Sequence, residues 1–81
     1  MSIFYTDQFQ RAFYSLPRPI KQKFKKQARF LVNNLRHPSL RAKKYDEDRD
    51  IWQARVNGNY RFYFSIKGDM YVLLDIRSHP K

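Results

Sequence analysis

The chain has 81 residues, with 17 Lys and Arg against 7 Asp and Glu, a formal net charge of +10 at pH 7. That length leaves room for one small domain over residues 1–81 and excludes a catalytic barrel or a dinucleotide-binding fold. The absence of cysteine excludes a disulfide framework and thiolate metal sites and points to a reducing, cytoplasmic setting. The start, Met1-Ser2-Ile3-Phe4, lacks the pattern of an export leader, and no stretch approaches the ~20 apolar residues of a membrane span. With 42% hydrophobic and 17% aromatic residues, the sequence is too apolar for a disordered basic tail.

Met1 to Tyr5 reads as a first strand, and Thr6 or Asp7 can cap a following helix by accepting a bond from an early backbone N–H. Phe9, Ala12, Phe13 and Leu16 recur at helical spacing until Pro17 and Pro19 stop that helix and pre-set the next. The second helix carries an apolar stripe of Ile20, Phe24, Ala28, Leu31, Val32 and Leu35, and His37-Pro38 ends it. Lys21, Lys25, Lys26 and Arg29 fall off the stripe. From Arg18 to Lys44 there are ten basic residues and no acidic one. A solvated helix face and a polyanionic or acidic partner are both open readings of that run. The acidic run that follows, Asp46, Glu47, Asp48 and Asp50, reads as a loop.

From Ile51 the period changes to two, and Asn57-Gly58-Asn59 and Lys67-Gly68-Asp69 separate three strands, roughly Ile51–Val56, Tyr60–Ile66 and Met70–Arg77. The expected fold is therefore α+β: a short N-terminal strand, a two-helix hairpin and a three-stranded antiparallel meander, with the helices packed on one sheet face. Three-residue loops with glycine in the left-handed region place Val56 opposite Tyr60, Ala54 opposite Phe62 and Trp52 opposite Phe64. In the same register Phe62 faces Leu74 and Phe64 faces Val72. The other sheet face then carries Gln53, Arg55, Arg61, Tyr63, Ser65, Tyr71, Asp75, Arg77 and His79.

Such a face suits RNA, because guanidinium groups hold phosphates bidentately and tyrosine rings stack on unpaired bases. Duplex DNA remains open, and so does a plain solvated face, which any half-covered antiparallel sheet must have. Arg61 and Asp75 are cross-strand neighbours in this register and read either as a surface ion pair or as part of a site. Tyr63 and Tyr71 can pack across strands, and His79 is either a solvated side chain or a proton carrier. Two histidines, at 37 and 79, with no cysteine match no common metal-ligand spacing, so neither metal nor cofactor is expected.

The segments His37-Pro38-Ser39-Leu40-Arg41-Ala42-Lys43-Lys44, Ile51-Trp52-Gln53-Ala54-Arg55-Val56, Asn59-Tyr60-Arg61-Phe62 and Leu73-Leu74-Asp75-Ile76 together resemble the RelE/ParE superfamily of bacterial toxin–antitoxin toxins. The resemblance spans nearly the whole chain. It implies a small basic toxin made with an acidic antitoxin that wraps it and blocks its active face. RelE-like members cut messenger RNA on the ribosome, and ParE-like members share the fold but poison DNA gyrase; the RelE-like branch is the favoured expectation. Its chemistry needs no metal, since the ribose 2′-hydroxyl attacks the adjacent phosphate while side chains move protons and stabilise charge.

Carried over residue by residue, the resemblance makes Arg61, in the Tyr-Arg motif, the group that holds the scissile phosphate, with Arg55 assisting. Arg77 would stabilise developing charge, and His79 would donate or accept a proton. Lys43 and Lys44 match a basic loop pair that binds ribosomal RNA, and Arg41, Tyr63, Lys25 and Lys26 complete the expected RNA contacts. Where many members read Gly-x-His-Asp near the end, this chain reads Arg77-Ser78-His79-Pro80-Lys81, and Pro80 is expected to reposition the imidazole. The expected partners are the antitoxin, the ribosome and messenger RNA, with no membrane and no small-molecule cofactor. A gyrase inhibitor and a basic nucleic-acid-binding module without toxicity are the alternatives.

Overall fold

The structure, a computed structural model, describes residues 1–79, so the expected effect of Pro80 lies outside the described residues. In chain order the elements are β1 (Ser2–Tyr5), α1 (Asp7–Tyr14), α2 (Arg18–Asn33), β2 (Lys43–Asp46), β3 (Ile51–Arg55), β4 (Tyr60–Lys67) and β5 (Met70–Ser78). The strands form one sheet in the order β1-β5-β4-β3-β2. β2 to β5 run as an antiparallel meander, and β1 joins β5 in parallel, Ser2 opposite Met70 and Tyr5 opposite Leu73. The α+β architecture is the expected one with a further strand, β2. Among the described residues no helix is long and apolar enough to cross a membrane.

Thr6, rather than Asp7, caps α1: its Oγ1 accepts from the Phe9 N–H at 3.2 Å and donates to the Leu73 carbonyl at 2.8 Å. One hydroxyl thus starts the helix and ties it to β5. Pro17 and Pro19 set the entry of α2, which has no side-chain cap. The helix ends at Asn33, short of the expected His37-Pro38, because Asn34 turns to extended backbone (φ −163°) while its N–H still donates to the Phe30 carbonyl at 2.7 Å. Leu35 falls beyond the helix. The His37 ring then stacks on Phe30 at 3.8 Å between centroids, and its Nδ1 accepts from the Ser39 N–H at 3.1 Å. His37-Pro38-Ser39-Leu40 is therefore a built corner that aims the chain at β2.

The stripe of α2 differs from its expectation at two positions: Val32 is exposed, and Gln27 is fully buried. Phe24 meets Phe62 of β4 edge-on, with centroids 5.2 Å apart at 88°. Phe9 packs on Phe24 at 5.2 Å, Phe62 on Phe64 at 5.8 Å, and Tyr71 edge-on against Phe64 at 5.6 Å. This run of aromatic contacts, of the tilted and edge-to-face kind that rings prefer, fastens the helical hairpin to one sheet face.

The β3–β4 register is the expected one, Trp52 opposite Phe64 and Ala54 opposite Phe62. Its loop is held by Asn57, whose Oδ1 accepts from the Asn59 and Tyr60 N–H groups at 2.8 and 2.9 Å, with no left-handed glycine. The β4–β5 register is a correction. Gly68 (φ 60°) and Asp69 form a two-residue turn that sets Lys67 opposite Met70, so Phe64 faces Leu73. An extra residue, Leu74, then bulges out of β5 and shifts the pairing one residue further, so Phe62 faces Ile76 instead of the expected Leu74, Arg61 faces Arg77 and Tyr63 faces Asp75. Tyr71 consequently lies in the core, 3% exposed, instead of on the polar face. Arg61 faces Arg77, and the expected Arg61–Asp75 pairing is not formed.

Burial holds the Tyr71 phenol above its ordinary value of 10.0, so as pH rises the unfolded chain ionises first. The stability this group contributes is complete below about pH 10 and is lost as pH climbs through the higher folded value. Tyr71→Phe removes that dependence and will keep its native circular dichroism signal to a higher pH than wild type. Identical alkaline midpoints would refute the assignment.

Candidate functional site

Three adjacent strands set Arg55, Arg61 and Arg77 side by side on the face the helices leave bare. Directly opposed like charges in a sheet cost stability, so such a row calls for a negative charge to sit on it. The neighbouring row is Lys43, Gln53, Tyr63 and Asp75. A cleft of about 530 Å³ opens over the β3–β4 end of this face, and Arg41, Lys43, Arg55, Arg61 and His79 line it. Among the described residues none that lines it is acidic.

Local structure holds these cations in place. The Arg61 Nη1 donates to the Asn57 carbonyl at 2.6 Å and the Tyr60 carbonyl at 3.0 Å, which anchors one nitrogen of the fork on the turn and leaves the others for a ligand. The His79 N–H donates to the Asn59 carbonyl at 2.6 Å and brings the imidazole beside that same turn. Arg41 sits in the left-handed region (φ 47°), a conformation costly for a side chain with a Cβ and tolerated where surrounding structure imposes it.

Beneath the cleft lies Gln27. Its Nε2 donates to the Arg55 carbonyl at 2.8 Å and the Ser39 carbonyl at 3.2 Å, and its Oε1 accepts from the Ser39 hydroxyl at 3.0 Å. The Arg55 N–H in turn donates to the Leu40 carbonyl at 2.7 Å. One buried amide therefore joins α2, the corner before β2 and the strand that carries Arg55.

The acidic residues are drawn elsewhere. Lys44 pairs with Asp50 and, at 4.0 Å, with Glu47, and Arg49 pairs with Asp46 at 3.5 Å. Those exposed pairs close the turn after β2 and are worth little individually. Asp75 lies 3.7 Å from Arg77, whose guanidinium carbon stands 4.7 Å from the centre of the Tyr63 ring. Its own donation to the Tyr63 oxygen first, and then the charges around it, keep Arg77 above the ordinary arginine value.

A sequence model of the ParE toxins of type II toxin–antitoxin systems matches residues 3–81. The chain belongs to the ParE toxin family. It is a type II toxin of the RelE/ParE superfamily. No curated protein matches it significantly. Among solved structures, the toxin is similar to a YoeB/ParE toxin from Agrobacterium tumefaciens, with a TM-score of 0.81 at 14% identity, over 99% of this chain and 100% of that one. It is also similar to the RelE–RelB antitoxin–toxin complex from Methanococcus jannaschii, with a TM-score of 0.78 at 19% identity, over 93% and 88%. A YoeB–YefM heterotetramer from Staphylococcus aureus matches with a TM-score of 0.77 at 12% identity, over 96% and 95%. These likenesses are of fold.

Of the residues singled out in the sequence, the toxin brings Arg41, Lys43, Arg55, Arg61 and His79 to one cleft and sets Arg77 at its side, against Tyr63. Lys44 borders the cleft, but its ammonium is engaged by Asp50 and stands 5.1 Å from the Trp52 ring. The hydrogen bond to Asp50, and then the charges of Asp50 and Glu47, raise its pKa. Tyr63 is 6% exposed, with Tyr45 edge-on at 4.9 Å, so its ring offers no open surface for base stacking. Lys25 faces a different groove, beside Tyr5 and Phe24, and Lys26 lies 5.9 Å from Phe30; neither lines the cleft. Gln27 was missed, although a polar residue three after Phe24 and four before Leu31, inside an apolar stripe, is itself a signal.

Replacing Gln27 by Leu keeps the volume and strands the Ser39 hydroxyl and two carbonyls. We expect a loss of about 1–3 kcal/mol in chemical denaturation, with a smaller loss for Ser39→Ala. An unchanged midpoint for Gln27→Leu would rule out the clamp.

Proposed function

We propose that this toxin is a ribosome-dependent endoribonuclease that cuts messenger RNA and so stops translation in the cytoplasm. The observation that carries the reading is the cleft itself: Arg41, Lys43, Arg55 and Arg61 converge with His79, and among the described residues no carboxylate lines it. A ribose 2′-oxygen attacking the adjacent phosphorus forms a 2′,3′-cyclic phosphate, breaks the bond to the 5′-oxygen and leaves a 5′-hydroxyl. Negative charge grows on the phosphorane oxygens in that step, and fixed guanidinium groups stabilise it most where water is excluded. Arg61, anchored on the turn, holds the phosphate; Arg55 and Arg41 neutralise the growing charge. His79 moves the proton, and Arg77 adds positive potential from the side.

Arg61→Ala is expected to abolish cleavage of a defined message by translating ribosomes, read by primer extension, while circular dichroism stays native. His79→Ala should lower the rate of that cleavage and leave the fold native. Full cleavage by Arg61→Ala would overturn the site. The match to the ParE family favours a second reading, inhibition of DNA gyrase through protein contacts. That reading predicts gyrase inhibition without RNA cleavage and indifference to His79→Ala.

We also infer an acidic antitoxin partner, as the named RelE–RelB and YoeB–YefM complexes support and the net charge of +10 favours. An apolar groove of about 690 Å³ between β1 and the helical hairpin, with Phe4 and Tyr14 exposed along it and Lys21 and Lys25 beside them, fits an amphipathic acidic segment of that partner. Phe4→Asp should weaken the toxin–antitoxin complex in calorimetry and leave ribosome-dependent cleavage intact. Undiminished affinity would exclude the groove.

A further inference from the structure

A second basic cleft, of about 390 Å³, continues from the first around the end of β3. Lys23, Ser39, Arg41, Arg55 and Asn57 line it, and Arg41 and Arg55 belong to both clefts. Among the described residues none that lines this second cleft is acidic either, and α2, which presents Lys23, has no acidic residue along its length. Among the described residues Lys23 takes part in no salt bridge. The two shared arginines come from different elements, yet Gln27 and Leu40 tie their backbones together, and Arg41 holds its place between the clefts at a strained φ of 47°. A site for one isolated phosphate needs neither the continuation nor a lysine on the far side of the shared pair. A chain of phosphates needs both.

We infer that Lys23, with Arg41 and Arg55, forms a subsite for a flanking phosphate of single-stranded RNA, so that the strand runs from the His79–Arg61 cleft across the two shared arginines onto α2. The inference rests on the reading of the first cleft as the cleavage site. It makes Lys23 a substrate-binding residue that takes no part in the chemistry. A lysine suits the role, being a flexible point charge able to follow a mobile backbone, whereas the guanidinium forks grip the phosphate next to the reacting bond.

The test uses uncleavable 2′-O-methyl RNA, as a dinucleotide and as an octanucleotide, with binding measured by fluorescence anisotropy at several salt concentrations. The variants are Lys23→Ala, Arg61→Ala and a charge-matched control, Lys67→Ala, at the far end of β4 from Arg61. Lys23→Ala is expected to weaken the octanucleotide several-fold and to reduce its slope of log affinity against log salt by about 0.7, the release due to one phosphate of a single strand. The dinucleotide should be unaffected, and Lys67→Ala should change neither. Equal losses from Lys23→Ala and Lys67→Ala, equal losses for both oligonucleotides, or no binding of the octanucleotide by wild type would overturn the subsite. Undiminished octanucleotide binding by Arg61→Ala, with the Lys23 effect intact, would instead overturn the placement of the cleavage site and leave the subsite standing.

Discussion

The edge-on contact between Phe24 and Phe62 decides which side of the sheet is left to function. Phe62 is fully buried and Phe24 nearly so, and truncating a buried aromatic of this kind costs about 3–5 kcal/mol, a large share of what a chain this short can muster. Once that ring contact fixes the hairpin on one face, the alternation along β3, β4 and β5 delivers every second side chain to the other. Among those outward positions Tyr63 is still packed, but Arg55, Arg61 and Arg77 lie outside the buried core, so their identities can be set by charge.

The charge arrangement is the converse of what stability alone would select. Three arginines stand abreast on neighbouring strands, while most of the acidic residues are gathered at the turn after β2, where they close on Lys44 and Arg49. Interspersing the two signs would have been the more stable solution. The arrangement is that of a site that accepts a cost in the free protein and recovers it when an anion arrives. Gln27 makes this tolerable, because a fully bonded amide under the strand end keeps the repelling backbones from spreading.

What could be read in advance divides along physical lines. Trp52, Ala54 and Val56 against Phe64, Phe62 and Tyr60 were legible because side-chain alternation is strict and Asn57-Gly58-Asn59 marks its own turn. The next hairpin defeats the same logic twice in the same direction: the turn at Gly68 is one residue shorter, and the bulge at Leu74 moves the pairing one residue further, so beyond the bulge the faces are restored but each partner is displaced by two. Arg77 therefore reached the polar face as anticipated while Tyr71 did not, and nothing in Leu73-Leu74 announces which leucine is extra. β2 does not show in the sequence because Lys43-Lys44-Tyr45-Asp46 is short, charged and bulged, as edge strands tend to be. The cations of the site were visible as residue types, but their convergence, from Arg41 to His79, belongs to tertiary structure. So does the withdrawal of Lys44, Tyr63, Lys25 and Lys26 from it.

The parallel pairing of β1 with β5 also bears on the order in which the basic face is assembled. Ser2 pairs with Met70, and Thr6 bonds to the Leu73 carbonyl 67 positions away, so the first strand emerges from synthesis without its neighbour. Contacts this distant in sequence close slowly, after the local helices and hairpins have formed. Until β5 has been made, β1 has no strand to pair with, the arginine row lacks Arg77 and the cleft lacks His79. The strand that gives β1 its place is thus also the one that completes the row of cations, so the β1 edge of the sheet and the basic face are finished by one and the same pairing.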